Sequence, residues 1–157
     1  SGFQLGVTYV AEDSVDGEDA SSIALFYGDA KLKKSKVFAS IAHDIDMDGY
    51  DATRVTAQTK VAGVTLGAIL HTQESIISGA EMDGYLVSAK YSLSEKLTLK
   101  GQFQAADHDG GDDKSGITLG LDYKLAKSTK LFGFYTSFDM DSDSDEDYLA
   151  AGIEYKF

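Results

Sequence analysis

Polar and apolar residues alternate along most of this chain, most plainly at its end. In YLAAGIEYKF, Leu149, Ala151, Ile153, Tyr155 and Phe157 fall on one side of an extended chain, with Gly152, Glu154 and Lys156 on the other. A period of two predicts a strand. The same reading predicts ten: Phe3–Ala11, Ser21–Asp29, Lys36–His43, Ala52–Val61, Val64–Thr72, Gly84–Leu93, Leu97–Ala106, Gly116–Leu125, Leu131–Asp139 and Tyr148–Phe157. The class is all-β and antiparallel, in one domain spanning residues 1–157.

One register collects apolar side chains: Phe3, Leu5, Val7 and Tyr9, then Leu97, Leu99 and Phe103, then Ile117, Leu119, Leu121 and Tyr123. The other collects polar or small ones: Arg54, Thr56, Gln58 and Lys60, Ser88 and Lys90, Lys100, Gln102 and Gln104, and Thr118 to Lys124 at alternate positions. Either the apolar side is a shared core, or it faces lipid around a polar interior. Periodicity fits both. Length favours the second, because most of these strands approach the roughly 9–11 residues of a membrane-crossing strand, against about 5–6 in soluble sheets.

The connections sharpen that expectation. Long acidic linkers (Glu12–Ala20, Asp44–Asp51, Gln73–Asp83, Asp107–Ser115, Met140–Asp147) alternate with short lysine-containing ones such as AKLKKS, VAG, SEK and AKSTK. Together with Asp139, the long linkers hold 22 of the 26 acidic residues, so one rim of the molecule is strongly negative. Transmembrane barrels sort their loops in this way, long outside and short inside. Phe3, Tyr91, Tyr123, Tyr155 and Phe157 would form an aromatic girdle near the short turns, with Tyr9 and Tyr85 near the other rim.

Composition removes other classes. No apolar run reaches the roughly 20 residues of a spanning helix. A net charge of −12 argues against nucleic acid as a partner. Proline and cysteine are absent, so nothing breaks a long strand and no disulfide or thiolate metal site forms. No signal peptide is visible, and the chain enters a strand almost at once, the expectation for a piece of something longer.

Candidate chemistry is sparse. Asp44-Ile-Asp-Met-Asp48-Gly49 opens like a calcium-binding EF-hand loop, but the twelfth position is Val55 where the loop needs glutamate. No metal site or cofactor is expected beyond weak surface association of Ca²⁺ or Mg²⁺ with the Asp-x-Asp runs. His43, His71 and His108 fall near the acidic rim, without a motif that marks a general base. No catalytic residue is assigned. In a barrel, Arg54, Gln58, Lys60, Lys90, Lys100, Gln102 and Lys124 would line the pore, with Lys60, Lys90 and Lys124 also able to snorkel toward headgroups.

GFQLGVTYVAED, IALFYGDA, GYLVSAKYSLSEKLTLKGQFQAAD, ITLGLDYKLAKSTKLFGFYTSFD and LAAGIEYKF together resemble the Gram-negative general porin family, in its neisserial-type branch. The resemblance implies a transmembrane β-barrel in the Gram-negative outer membrane, passing small hydrophilic solutes and ions by passive diffusion. It implies a homotrimer in contact with lipid and lipopolysaccharide, and a terminal Phe157 read by the outer-membrane assembly machinery. It also implies sixteen strands, of which these would be the last ten. The first six strands and the long third loop that narrows the family's pore have no counterpart here. A complete ten-strand cylinder with a plugged lumen, structural or adhesive through its acidic loops, is the alternative expectation.

Overall fold

The computed structural model describes residues 2–11, 18–111, 113–140 and 145–157. It contains ten strands: β1 (Phe3–Val10), β2 (Ala20–Gly28), β3 (Val37–Met47), β4 (Tyr50–Val61), β5 (Val64–Ser75), β6 (Glu81–Ser92), β7 (Leu97–His108), β8 (Lys114–Lys124), β9 (Thr129–Met140) and β10 (Glu146–Tyr155). They form one antiparallel sheet in which each strand pairs with its neighbours in sequence. Among the described residues no pairing joins β1 to β10.

Register fixes the two faces. Leu5 opposes Leu25, Leu25 opposes Ile41, and Ile41 opposes Val55. From Val55 the apolar row continues through Leu70, Tyr85, Ala105 and Ser115. A parallel row of Arg54, His71, Gly84, Ala106 and Lys114 runs on the opposite face. Because the side-chain period is two, a one-residue slip anywhere would exchange these faces.

There is no interior in the ordinary sense. Among the described residues Ala20 is the one buried hydrophobic, and no large side chain is fully buried. The chain exposes 10736 Å², against about 7,700 Å² for a soluble monomer of this mass. The excess lies on the apolar face, where Leu70, Ile117 and Leu119 stand exposed. Opposite side chains such as Gln58, Ser88 and Gln102 are half-buried. A sheet curled with its polar side concave produces that asymmetry. A soluble sandwich does not.

The strands run further than expected, and the acidic linkers shrink to match. The expected linker Asp44–Asp51 is mostly ladder: Met47 pairs with Tyr50 across Asp48-Gly49. Both turn residues have positive φ, 53° and 82°, the geometry that Asp-Gly supplies in a two-residue hairpin. A register shift between Asp44 and Met47, with Asp46 also at positive φ, absorbs the remainder. Residues 12–17, 112 and 141–144 of the other acidic linkers lie outside the described residues.

On the opposite edge, Ala62-Gly63 turns equally tightly, but the β2–β3 connection occupies residues 29–36. Loop length is therefore not what separates the two ends of this molecule; charge is. The long β2–β3 connection is organised by Asp29, whose carboxylate accepts from the backbone N–H of Lys31 (2.9 Å), Lys33 (3.0 Å) and Lys34 (3.1 Å). Those backbone donors, with the nearby Lys34 charge, hold its pKa below the usual carboxylate value. Gly28, at φ 87°, enters the turn where a Cβ would collide with the Val37 carbonyl oxygen.

Candidate functional site: a charged polar wall

Every residue expected to line a pore falls on the polar face. Arg54 sits beside Ala42 and His71, and Gln58 beside Phe38 and Gly67. Lys60 opposes Thr65, Thr65 opposes Lys90, and Lys90 opposes Lys100. Gln102 lies between Ser88 and Thr118, while Lys124 opposes Lys130. Alternation along strands of known pairing is enough to gather these side chains from β4, β6, β7 and β8.

The structure adds partners that periodicity did not reveal. Lys100 Nζ is 2.6 Å from Asp122 Oδ2, which also lies 3.5 Å from Lys130 Nζ. Lys130 reaches Glu154 at 2.9 Å, and Lys156 closes the chain at 3.2 Å. This zigzag of five charges crosses β7 to β10 near the basic turns. Its members are half-buried or exposed, so it contributes little to stability but fixes charge positions on the wall. In sequence, Asp122 and Glu154 stood out only as two of four acids outside the acidic linkers.

Higher on the wall the groups are neutral. Thr118 and Thr136 share a hydroxyl hydrogen bond of 2.9 Å, and Thr136 is buried. The Gln102 side-chain amide donates to Gln104 Oε1 at 2.8 Å. The polar face is not uniformly polar or small, contrary to expectation, since β9 places Phe132, Phe134 and Phe138 there. These rings fall beside glycines, Gly116 and Gly152 among them, that leave the backbone uncovered.

Aromatic side chains also mark both margins of the apolar face. Phe3 and Tyr27 pack at 5.1 Å near the basic turns, in the same margin as Tyr91, Tyr123 and Tyr155. At the acidic margin, Tyr9 donates its hydroxyl to Asp19. Tyr135, further into the sheet, donates to Asp147 at 2.8 Å. Phenol heads thus point to the charged rim while their rings rest on the apolar band, the usual placement at a membrane interface.

The histidines are divided between faces. His43 lies on the apolar side with Nδ1 2.9 Å from Thr53 Oγ1, whereas His71 and His108 are on the polar side. His71 Nε2 meets Gln73 Oε1 at 3.1 Å. Among the described residues no group of three or more His, Asp or Glu side chains is arranged to hold a metal ion.

Comparison with known proteins gives a consistent picture. A family model described as Gram-negative porin matches residues 1–156. Among solved structures, the chain is similar to an anion-selective porin from Comamonas acidovorans at 18% identity and TM-score 0.79, over 99% of this chain and 56% of that one. It is similar to the loop L8 deletion mutant of OmpT, an outer membrane protein of Vibrio cholerae, at 13% identity and TM-score 0.78, over 99% and 59%. A further porin structure matches at 16% identity and TM-score 0.76, over 99% and 58%. The chain thus spans a little over half the length of each. No curated protein matches it.

Proposed function

The chain belongs to the Gram-negative porin family, and from that premise we propose that it forms the greater part of the wall of a water-filled outer-membrane channel. Small hydrophilic solutes and ions cross this channel by passive diffusion, without a cofactor. One observation carries the reading: the faces are inverted relative to a soluble sheet, with large apolar side chains exposed and charged ones crowded on the opposite face. In lipid this arrangement satisfies both solvents.

A sheet edge cannot be left open in hydrocarbon, because each unpaired backbone group costs several kcal/mol. In our reading, further strands joined to the β1 and β10 edges complete the barrel, in keeping with the greater length of the structural relatives. A plugged ten-strand cylinder would instead need β1 against β10, a pairing absent among the described residues. We take the assembled protein to be a homotrimer in lipid and lipopolysaccharide, with Phe157 as the signal for the assembly machinery, and to have no catalytic activity.

Arg54, Gln58, Lys60, Lys90, Lys100, Gln102 and Lys124 line the lumen in this account. Reconstitution of the complete protein, the further strands included, into planar bilayers tests it. Discrete conductance steps in KCl are the expected result; a protein that inserts and folds yet leaves the bilayer sealed would end the channel reading.

A further inference from the structure

Building on that channel reading, we propose that the pore carries an axial charge dipole and rectifies ionic current, passing more when the acidic side is positive. Five lysines carry the basic end: Lys60, Lys90, Lys100, Lys124 and Lys130. Each lies on the polar face within three residues of a strand end at the basic turns. Lys90 directly opposes Lys100, and Lys124 directly opposes Lys130. Opposed like charges weaken a strand pair, so this row is a cost to the ladder rather than a support for it.

Compensation is incomplete. Asp122 and Glu154 pair with Lys100 and Lys130, but Lys60, Lys90 and Lys124 make no ion pair among the described residues. Lys31, Lys33, Lys34, Lys36, Lys96 and Lys127 lie in the adjoining turns and add to the same rim. The opposite mouth reverses the sign: Asp48, Asp109 and Asp113 in its turns, with Asp44 and Glu146 on the polar face, outnumber Arg54 and Lys114 on that face. Between the two ends, Gln102, Gln104, Thr118 and Thr136 leave much of the wall neutral.

Two zones of opposite fixed charge in series treat the two voltage polarities differently. With the acidic side positive, cations enter past carboxylates and anions past lysines, and both accumulate in the neutral middle. With the polarity reversed, each ion meets fixed charge of its own sign, and the middle is depleted. Salt controls the contrast, because the screening length falls from about 10 Å at 0.1 M to about 3 Å at 1 M.

The test is a current–voltage curve of the complete protein, the strands that close the barrel included, reconstituted in planar bilayers with the same KCl solution on both sides. At 0.1 M the currents at opposite voltages should differ by about twofold or more, and at 1 M the ratio should approach one. A Lys60→Gln/Lys90→Gln/Lys124→Gln variant should still open in steps, with the low-salt ratio clearly reduced. Equal currents at both polarities in 0.1 M salt would overturn the axial dipole while leaving the channel standing. Persistence of full rectification in the triple variant would overturn the role of the lysine row. A complete lack of steps would remove the channel reading and this inference with it. Should the variant not insert, the salt series on the complete unmodified protein decides alone.

Discussion

Phe132 on β9 lies across the backbone of Gly152 on β10, its direct register partner. A Cβ at Gly152 would stand 2.6 Å from the ring's Cζ. Phe138 bears the same relation to Gly116 on β8, again at 2.6 Å. An aromatic ring laid over a strand glycine shields its hydrogen bonds from water and fills the space that a side chain would otherwise occupy. These pairs explain why large apolar rings occupy a face otherwise open to solvent.

Replacing Gly152 with valine should therefore expel the Phe132 ring and destabilise the protein by about 1–3 kcal/mol. Because the ring is what the new side chain strikes, Gly152→Val combined with Phe132→Ala should cost less than the sum of the two single changes. Urea unfolding in detergent micelles, following the loss of sheet structure, measures all three. Simple additivity would mean that the ring and the glycine are not coupled.

Gly28 and Gly79 both have positive φ, 87° and 68°, but their surroundings differ. An alanine Cβ at Gly28 collides with the Val37 backbone carbonyl, whereas at Gly79 nothing lies within 4 Å. Gly79→Ala should cost only the conformational penalty, about 1 kcal/mol. Gly28→Ala adds a clash that backbone cannot relieve, and should markedly reduce the folded yield. Refolding yields of the two variants, compared by gel mobility of unheated samples, check the ranking.

Acid should loosen the β2–β3 turn. Backbone donors lower the pKa of Asp29 in the folded chain, so its stabilising contribution is complete above the unfolded value of about 3.9 and fades as pH falls through the folded pKa. Asp29→Asn presents one acceptor oxygen in place of two and should weaken the bonds to Lys33 and Lys34 at neutral pH. Amide exchange at those two residues should be faster in the variant at neutral pH, and the difference should narrow in acid. An undiminished difference at low pH would rule out the carboxylate as its source.

Asp122 is the shared anion of two lysines on the wall. In Asp122→Asn, Lys100 keeps its charge but loses its 2.6 Å partner, and Lys130 retains only Glu154. The channel should then shift toward anion preference, read as a change in zero-current potential across a KCl gradient. An unchanged potential would place these charges outside the conducting path.

Much of this arrangement is visible in the residue pattern, and what escapes it has physical causes. Alternation assigns Gln102 and Phe103 to opposite faces because strand geometry leaves no other choice. The Asp48-Gly49 hairpin was hidden because acidic residues suggest a loop, while Asp-Gly between pairing strands permits the tightest of turns. The ion-pair zigzag was hidden because it depends on register across four strands, and register is set by the whole sheet. Phe132 and Phe138 were assigned no partner because the glycines they cover lie on neighbouring strands, 20 and 22 residues away.

The central claim is that the apolar face meets lipid and the polar face meets water. The chain has no cysteine, so a single one can be introduced at either Gln102 or Phe103, neighbours at one depth on opposite faces. With each variant reconstituted in lipid vesicles, labelling by a membrane-impermeant maleimide separates the two environments. Rapid reaction at Gln102→Cys with protection at Phe103→Cys is the predicted result. The reverse pattern, with the Phe103 position open to water and the Gln102 position protected, would contradict the account.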